Sequence, residues 1–278
     1  MKGNKFLAYN KKDTIIHQLT GATKLVCFLL LSFVAMLTFD IRVLFLVLVF
    51  AFIILKISKT EWKEIEVAFY YVVVFLSLNI ILTYVFSPTA GVDIYGTQHI
   101  LVDFGNRYSI TSEEVFYEIT KMVKYASLVP FGLLLFLTTD PSEFAASLNR
   151  IGVHYKVCTT LGLTLRYFPD VQRDFTTISQ AEQARGVDMG KNVKLFDKFK
   201  FVMSIIVPLL FTTLDRIDLI SNAMELRSYG KMQKRTWYNS RPFEKKDYIA
   251  IGICVIILLA TIAVRIFVNH SFYYNPFI

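Results

Sequence analysis

Long apolar stretches alternate with short polar breaks along the chain, and the longest of them match the thickness of a membrane. Residues 67–86 form an uninterrupted apolar stretch of about the 20 residues that a helix needs to cross the hydrocarbon core. Residues 115–138 are a further predicted span, whose first turns carry Glu118, Lys121 and Lys124 and in which a kink is expected at Pro130. Residues 248–268 are another, interrupted only by Arg265 near its far end. The hydropathy pattern therefore predicts helices that span a membrane.

Two shorter apolar runs, residues 25–39 and 43–55, are separated by Asp40-Ile41-Arg42. They fit either a tight helical hairpin or a single bent element, and we favour the hairpin because a charged pair at mid-membrane is costly. The pattern then predicts about five transmembrane helices. Between the third and fourth of them, residues 87–111 combine glycines with alternating apolar positions, which predicts a short β-hairpin.

The second half of the chain has apolar residues at spacings of three and four, which places them on one face of a helix. The pattern predicts two long amphipathic helices, each with a proline near its start, Pro169 and Pro208. Residues 201–211 are apolar but too short to span, so we place them in a buried or interfacial helix that leads into the second segment. One residue set is expected to pack the two helices against each other or against the membrane surface: Phe175, Ile178, Leu214 and Ile217.

One nine-residue sequence occurs twice in this region. Residues 178–186 (ISQAEQARG) return 42 positions later as residues 220–228 (ISNAMELRS), with identical Ile, Ser, Ala and Arg. Gly186 has the backbone freedom that ends many helices, and a basic residue suits the C-terminal end of the helix dipole. Either copy alone is typical of an ordinary helix stop. The matched pair, in which Arg185 and Arg227 are equivalent, favours a function.

Composition and charge point to a membrane protein with a basic cytoplasmic region. The chain is 54% apolar, with a mean hydropathy of +0.48 and a net charge of +8. Residues 185–246 are rich in Lys and Arg, whereas residues 87–111 hold one Arg and no Lys. The positive-inside rule then places the N-terminus in the cytoplasm and the C-terminus outside, and the basic charge is not interpreted as nucleic-acid binding. No phosphate-binding P-loop motif appears, and the cysteines and histidines lack the spacing of a metal or catalytic site.

The repeated triplets carry a family resemblance. Ala184-Arg185-Gly186 and, in a relaxed form, Leu226-Arg227-Ser228 resemble the two Ala-Arg-Gly-type signatures of the transmembrane T component of energy-coupling factor (ECF) transporters. Residues 16–25 resemble the family's Leu-His-x-Leu-Asp-Pro-x-Thr-Lys-Leu motif, with Thr20-Gly21 in place of Asp-Pro. The matching positions are His17, Leu19, Thr23, Lys24 and Leu25.

The resemblance implies an all-α polytopic membrane protein, in which a transmembrane bundle is joined to a cytoplasmic pair of long amphipathic coupling helices. It implies a prokaryotic cell membrane, two ABC-type ATPase subunits on the cytoplasmic side, and an integral-membrane substrate-binding S component for uptake of vitamins or metal ions. The chain is then not an enzyme and binds no cofactor or metal, because ATP and Mg²⁺ belong to the partner ATPases. The residues expected to couple to the ATPases are Ala184, Arg185, Gly186, Leu226, Arg227 and Ser228.

Three regions are expected: a transmembrane region at residues 1–139 with about four spans, a cytoplasmic coupling-helix region at residues 140–246, and a final transmembrane helix and C-terminus at residues 247–278. Asp140-Pro141 marks the first boundary as a helix-start signal. The alternative classes are a self-contained membrane transporter and a membrane-embedded enzyme. We disfavour both, because the spans show no catalytic cluster, no broken helices and no buried ionisable residues.

Overall fold

The computed structural model describes residues 14–103, 109–186, 195–232, 236–237, 241–269 and 272–277. Within these residues the chain is mostly helical, with one antiparallel two-stranded sheet, so the expected all-α membrane fold is confirmed. In chain order the elements are α1 (Ile15–Gln18), α2 (Gly21–Leu37), α3 (Ile41–Ile57), α4 (Trp62–Phe86), α5 (Ala90–Tyr95), β1 (Ile100–Asp103), β2 (Ser109–Thr111), α6 (Ser112–Thr138), α7 (Pro141–Arg150), α8 (Tyr155–Ala184), α9 (Leu195–Leu226), α10 (Lys245–Val264) and a π-helical turn (Arg265–Asn269).

Three helical segments of the described chain are long and apolar enough to cross a membrane: Ile65–Phe86, Ser112–Thr138 and Lys245–Val268. Helices α2 and α3 have 17 residues each, or about 25 Å at 1.5 Å per residue. They are separate helices, so the hairpin interpretation is confirmed. Asp40 caps α3 by accepting a hydrogen bond from the backbone N–H of Arg42 (2.9 Å), and its carboxylate also lies 3.2 Å from the Arg42 guanidinium.

Four helices, α2, α3, α6 and α10, build the core of the membrane bundle. In lipid such a core is held by close van der Waals packing more than by the hydrophobic effect. Cys27 of α2 packs against this core beside Cys254 of α10, so both cysteines serve as packing residues of the bundle. The buried members are Leu31, Val34, Val47, Ala51, Leu55, Phe131, Leu134 and Cys254.

The first half of α6 carries five buried ionisable side chains, and three of them, Glu118, Lys121 and Lys124, lie within residues 115–138. The expectation that the spans contain none is therefore wrong. The Lys121 ammonium donates to a Glu118 carboxylate oxygen at 2.8 Å and to the hydroxyl of Thr83 on α4. The Lys124 ammonium lies 3.4 Å from the centre of the Phe39 ring. These contacts offset the cost of burial, and a hydropathy average conceals such residues because apolar neighbours outweigh them.

The connections at one end of the bundle are fastened by the last residues of the chain. The backbone N–H of Phe39 donates to the carbonyl of Phe272 (3.2 Å), and the Asn275 amide donates to the carbonyl of Tyr95 (3.1 Å). The Phe277 ring packs on Tyr95 with centroids 5.9 Å apart, and burial raises the pKa of Tyr95 to about 12. The predicted β-hairpin is confirmed as β1 and β2, while α5 was not predicted.

The chain forms two compact units. The membrane unit comprises Met1–Glu143 and Arg241–Ile278, and the helix-pair unit comprises Phe144–Ser240. The division into the three regions named above stays a prediction. Helix α7 begins at the expected start signal, where the Asp140 carboxylate accepts a hydrogen bond from the backbone N–H of Ser142 (2.8 Å).

Helices α8 and α9 dominate the helix-pair unit, with 30 and 32 residues. The expected position of the prolines is wrong, since Pro169 and Pro208 both lie well inside these helices. The apolar residues 201–211 belong to α9, which is not among the helices apolar enough to span. On this stretch Phe201 and Ile205 are buried, while neighbouring apolar side chains such as Phe211 are exposed.

Candidate functional site

Helices α8 and α9 form an antiparallel pair. A guanidinium nitrogen of Arg216 lies 2.7 Å from a carboxylate oxygen of Asp174, and each side chain is 29% exposed. Nearer the start of α8, the Tyr155 ring meets the Tyr229 ring edge-on at 5.9 Å between centroids. Residue numbers on α9 therefore rise as those on α8 fall. The C-terminal end of each helix consequently lies at the opposite end of the pair.

The ion pair joins equivalent positions of the sequence repeat, because Asp174 and Arg216 are 42 residues apart, which is the offset of the repeat. Contact between equivalent positions of two antiparallel repeats places an approximate two-fold axis at this ion pair. Arg185 and Arg227 each lie eleven residues beyond it on their own helix, or roughly 16 Å at 1.5 Å per residue. The two arginines are thus held about 33 Å apart at symmetric positions.

The backbone of the two helix ends repeats along with the sequence. The backbone N–H of Arg185 donates to the carbonyl of Ala181 (3.2 Å), and that of Arg227 donates to the carbonyl of Ala223 (3.3 Å). These two alanines are an identical pair of the repeat. One residue later, Gly186 and Ser228 donate to the equivalent carbonyls of Gln183 and Glu225, at 3.0 and 2.9 Å.

Both residues that follow the arginines adopt the left-handed conformation, with φ of +90° at Gly186 and +55° at Ser228. A serine in this conformation is strained relative to glycine. At the second end, the backbone N–H of Tyr229 also donates to the carbonyl of Met224 (2.9 Å), which completes a Schellman motif. The expected helix stops are therefore present, including the one without a glycine directly after the arginine.

Both arginine side chains are exposed. A guanidinium nitrogen of Arg185 lies 2.7 Å from the Glu182 carboxylate one turn earlier, and the Arg185 side chain remains 74% exposed. Arg227 lines an open groove of about 310 Å³ together with Tyr155, Tyr229 and Trp237. The flanking residues of the two triplets, Ala184, Gly186, Leu226 and Ser228, are also exposed. Both triplets are thus accessible for contact with another protein.

The side chains expected to pack the helix pair are only partly covered within this chain. Phe175, Leu214 and Ile217 are 48%, 53% and 52% exposed, and Ile178 is half-buried. Ile217 lines a groove between α8 and α9 of about 710 Å³, whose other apolar walls include Phe168 and Val171. Their burial in an assembled state stays a prediction.

Sequence reasoning missed the Asp174–Arg216 ion pair and the hydrogen bond from the Trp237 indole to the Asn149 side chain (3.0 Å). The ion pair could have been recognised in the sequence, because Asp174 and Arg216 are 42 residues apart, the offset of the repeat. It was overlooked because the two equivalent positions hold opposite charges and so do not look like a repeat. Near the start of α8, burial raises the pKa of the Cys158 thiol. Cys158 is fully buried, which fits a packing residue better than a reactive one.

Comparison with known families agrees with this geometry. The model of the family CbiQ, described as a cobalt transport protein, matches residues 12–238, a segment that includes both arginine-bearing helix ends. The chain belongs to the CbiQ family.

Several relatives carry names that describe a role. The chain is 29% identical over 259 residues to the energy-coupling factor transporter transmembrane protein EcfT of Streptococcus equi, covering 90% of this chain and 92% of that protein. It is 26% identical over 269 residues to EcfT of Bacillus selenitireducens, covering 92% and 95%. It is also 27% identical over 163 residues to a Bifidobacterium longum protein named as an ABC transporter ATP-binding protein, covering 56% of this chain and 21% of that protein.

Proposed function

We propose that this chain is the transmembrane component of an energy-coupling factor transporter. In this role it is a non-catalytic membrane scaffold that couples two cytoplasmic ATPases to a substrate-binding membrane subunit. Membership of the CbiQ family and similarity to two EcfT proteins over nine-tenths of the chain support this assignment. The membrane unit, with its three candidate spans, fits the transmembrane part of the role.

The approximate two-fold symmetry of the helix pair is the observation that carries the coupling role. Two exposed arginines, Arg185 and Arg227, stand at equivalent helix ends on either side of the Asp174–Arg216 ion pair. Two equivalent contacts on one chain suit two related partner subunits. Arginine fits such contacts because its guanidinium is always charged and binds a carboxylate through two hydrogen bonds. The expected partner surface is therefore an acidic pocket on each ATPase. ATP and Mg²⁺ are bound elsewhere on the same ATPase subunits.

The name of the Bifidobacterium longum relative, an ABC transporter ATP-binding protein, supports ATPases as the partners. Only about a fifth of that longer protein, 21% of its length, aligns with this chain, so a segment of this kind occurs within a protein named for ATP binding. The third partner is a membrane-embedded S component that binds the vitamin or metal ion. We place the arginine-bearing helix ends on the cytoplasmic side, because the ATPases need cytoplasmic ATP.

Buried ionisable side chains of α6, among them Glu118, Lys121 and Lys124, favour a self-contained transporter. Their contacts argue for a structural role. Lys121 is bonded to Glu118 and Thr83, and Lys124 is covered by the Phe39 ring. Such internal pairing is what holds an ionisable group inside a bundle without a transported ion.

Isolation of the intact complex tests the proposed function. An affinity tag on this chain, with membranes solubilised in mild detergent, is expected to recover two ATPase subunits and one further integral membrane protein. The recovered complex, reconstituted into vesicles, is expected to accumulate its substrate only when ATP is supplied on the ATPase side. Recovery of the chain alone, together with uptake that needs no ATP, would favour the self-contained transporter.

A further inference from the structure

A cluster of polar groups, all of them buried except the Arg241 side chain, joins four helix ends at one end of the membrane unit. The cluster, called the junction cluster below, lies where α2, α7 and α10 begin and where α6 ends. We propose that it is the element through which movement of the helix-pair unit reaches the membrane helices, with Glu143 and Arg241 as positioning residues for coupling. This inference rests on the proposed function. The members of the cluster are Thr20, Gly21, Lys24, Thr138, Glu143, Arg241 and Asp247.

The junction cluster lies at the two points where the chain leaves and re-enters the membrane unit. The chain leaves the membrane unit after Glu143 and returns to it at Arg241. A guanidinium nitrogen of Arg241 lies 3.4 Å from a Glu143 carboxylate oxygen. The outgoing and returning connections are therefore fastened to each other at the point where each meets the membrane unit. Any displacement carried along the chain passes through these two residues.

Glu143 also fastens the outgoing connection to the first long membrane helix. Its second carboxylate oxygen accepts a hydrogen bond from the backbone N–H of Gly21 at 2.9 Å, at the start of α2. The side chain of Glu143 is 7% exposed, whereas that of Arg241 is 45% exposed. A buried carboxylate needs such partners, and a helix N-terminus is a favourable place for a negative charge.

Asp247 makes the equivalent connection from the last membrane helix. One carboxylate oxygen accepts hydrogen bonds from the backbone N–H (2.9 Å) and the hydroxyl (3.2 Å) of Thr20. The other oxygen accepts from the backbone N–H of Glu244 (2.9 Å), which closes the first turn of α10. Asp247 is 1% exposed. The beginnings of α7 and α10 are thus both bonded, through one carboxylate each, to adjacent residues at the beginning of α2.

Lys24 adds the end of α6 to this arrangement. Its ammonium donates to the carbonyl of Thr138 at 2.6 Å, and it interacts electrostatically with Glu143, Arg241 and Asp247. Two carboxylates and two cations therefore balance within the cluster. A buried cluster of this kind is stable only when its members are paired. Removal of one member is consequently expected to loosen the others.

Directional bonds make this cluster suited to transmission. Apolar side chains tolerate sliding across one another, because their contacts have no preferred direction. Hydrogen bonds weaken steeply when their angles change. Four helix ends joined by hydrogen bonds therefore shift together. This physical difference separates the junction cluster from the apolar core above it, which holds the helices together without fixing their ends to the two connections.

The substitution of Asp-Pro by Thr20-Gly21 is part of the same arrangement. Proline has no N–H and could not donate to Glu143, and an aspartate in place of Thr20 would face the Asp247 carboxylate. Thr20 has φ −65° and ψ 145°, a conformation that also suits a residue before proline. Gly21 is the first residue of α2, where proline is well tolerated. Gly21→Pro is therefore expected to keep the helix and to remove only the donor.

The test uses the tagged complex in vesicles, with ATP hydrolysis and substrate uptake measured on the same sample. Four variants are compared: Glu143→Gln, Arg241→Gln, Arg241→Lys and Gly21→Pro. Three of them, Glu143→Gln, Arg241→Gln and Gly21→Pro, are expected to keep ATPase association and ATP hydrolysis. In each, the uptake per ATP hydrolysed is expected to fall by about fivefold or more. Arg241→Lys retains the charge and is expected to restore most of the coupling. The Glu143→Gln, Arg241→Gln double variant is expected to be no worse than either single change.

Two matched controls distinguish loss of the Gly21 N–H donor or of the Glu143–Arg241 charges from nonspecific destabilisation of the protein. Gly21→Ala adds an atom at the same position but keeps the N–H, so it is expected to couple normally. Asp170→Asn removes a charge from an exposed ion pair on α8 (3.5 Å) and is likewise expected to couple normally. If the parental chain failed to hold ATPases, the proposed function would fail and this inference with it.

Two outcomes would overturn the inference while the proposed function stands. One is uptake per ATP at the parental value in Glu143→Gln, Arg241→Gln and Gly21→Pro. The other is a parallel loss of membrane protein, ATP hydrolysis and uptake in these variants, because a purely structural role lowers all three together. Only a fall in the uptake-to-hydrolysis ratio at preserved assembly supports the proposal.

Discussion

Asp174 on α8 and Arg216 on α9 form an ion pair at 2.7 Å, and the two residues occupy equivalent positions of a repeat with an offset of 42 residues. The ion pair therefore marks an approximate symmetry axis of the helix pair. Arg185 and Arg227 stand at equal distances from it along their helices. Internal symmetry of this kind suits a scaffold that holds two related subunits in a fixed relative arrangement.

The ion pair itself is expected to stabilise the helix pair. Asp174→Asn removes the charge partner of Arg216, one of whose guanidinium nitrogens is already buried without a hydrogen-bond partner among the described residues. We expect a loss of about 1 kcal/mol, the upper end for a partly exposed pair, and a lower melting temperature of the purified protein. Asp170→Asn is the control, because its pair with Arg173 is exposed and 3.5 Å apart.

Charge reversal sharpens this prediction. Asp174→Arg alone is expected to destabilise the protein more than Asp174→Asn, because it places two like charges together. Combination with Arg216→Asp is expected to recover most of the loss. Equal melting temperatures for Asp174→Asn and Asp170→Asn would contradict a contribution of this ion pair.

The contact between Arg185 and Glu182 competes with any partner carboxylate. Glu182→Gln keeps the size of the side chain and removes that competitor, so docking no longer has to break a partly exposed ion pair worth about 0.5 kcal/mol. The affinity for the ATPases is expected to rise by roughly twofold, as measured by titration of ATPase onto the reconstituted chain. A clear loss of affinity would show that Glu182 contributes to docking directly.

Membrane orientation follows from the proposed cytoplasmic position of the arginines. A single cysteine at Leu101, which is 63% exposed on β1, is expected to react in intact cells with a thiol reagent that does not cross membranes. A cysteine at Arg173, whose side chain is 79% exposed on α8, is expected to react only after the cells are opened. Both are introduced in a chain whose native cysteines are replaced. Reaction of the α8 position in intact cells would reverse the orientation.

Residues 272–277 pack against the end of the bundle that lies opposite the junction cluster, and we expect these contacts to stabilise the protein. Phe277→Ala removes ring contacts with Tyr95 and Phe116, whose centroids lie 5.9 and 5.8 Å away. For a half-buried ring we expect a cost of about 1–2 kcal/mol and a melting temperature lower by roughly 3 °C or more. Phe267→Ala is the control, since that ring is 77% exposed. Equal effects of the two changes would contradict the fastening.

Much of this arrangement was predictable from local patterns in the sequence. The hydropathy pattern located the helices that are long and apolar enough to cross a membrane, and the break at Asp40, because both signals come from neighbouring residues. The repeat located both helix ends, since Arg185 and Arg227 are followed by the residues that adopt the left-handed conformation. Local signals were sufficient wherever the structure depends on neighbours in the chain.

The rest depends on contacts between distant residues. The bond between Glu143 and Gly21 joins positions 122 apart, and that between Asp247 and Thr20 joins positions 227 apart. No periodicity indicates such partners. The buried charge of Lys121 was hidden for the same reason, because its partner Thr83 lies on another helix. The positions of Pro169 and Pro208 were predicted wrongly because a proline can kink a long helix without ending it.

Arg185 and Arg227 are proposed to bind the two ATPases. Loss of a cation at an exposed helix end costs about 0.3–1 kcal/mol, whereas loss of one partner of a buried interfacial charge pair costs about 2–5 kcal/mol. Arg→Lys at either position keeps the charge but not the paired hydrogen bonds, so it is expected to weaken binding. Each single change is expected to do less than both together, because two contacts on one scaffold reinforce each other.

The most direct test is the amount of ATPase recovered with the tagged Arg185→Glu, Arg227→Glu double variant, together with its ATP-driven uptake. The variant is expected to reach the membrane at the parental level, because both side chains are exposed, while ATPase recovery and uptake are abolished. A double variant that retained its ATPases and took up substrate at the parental rate would contradict the account.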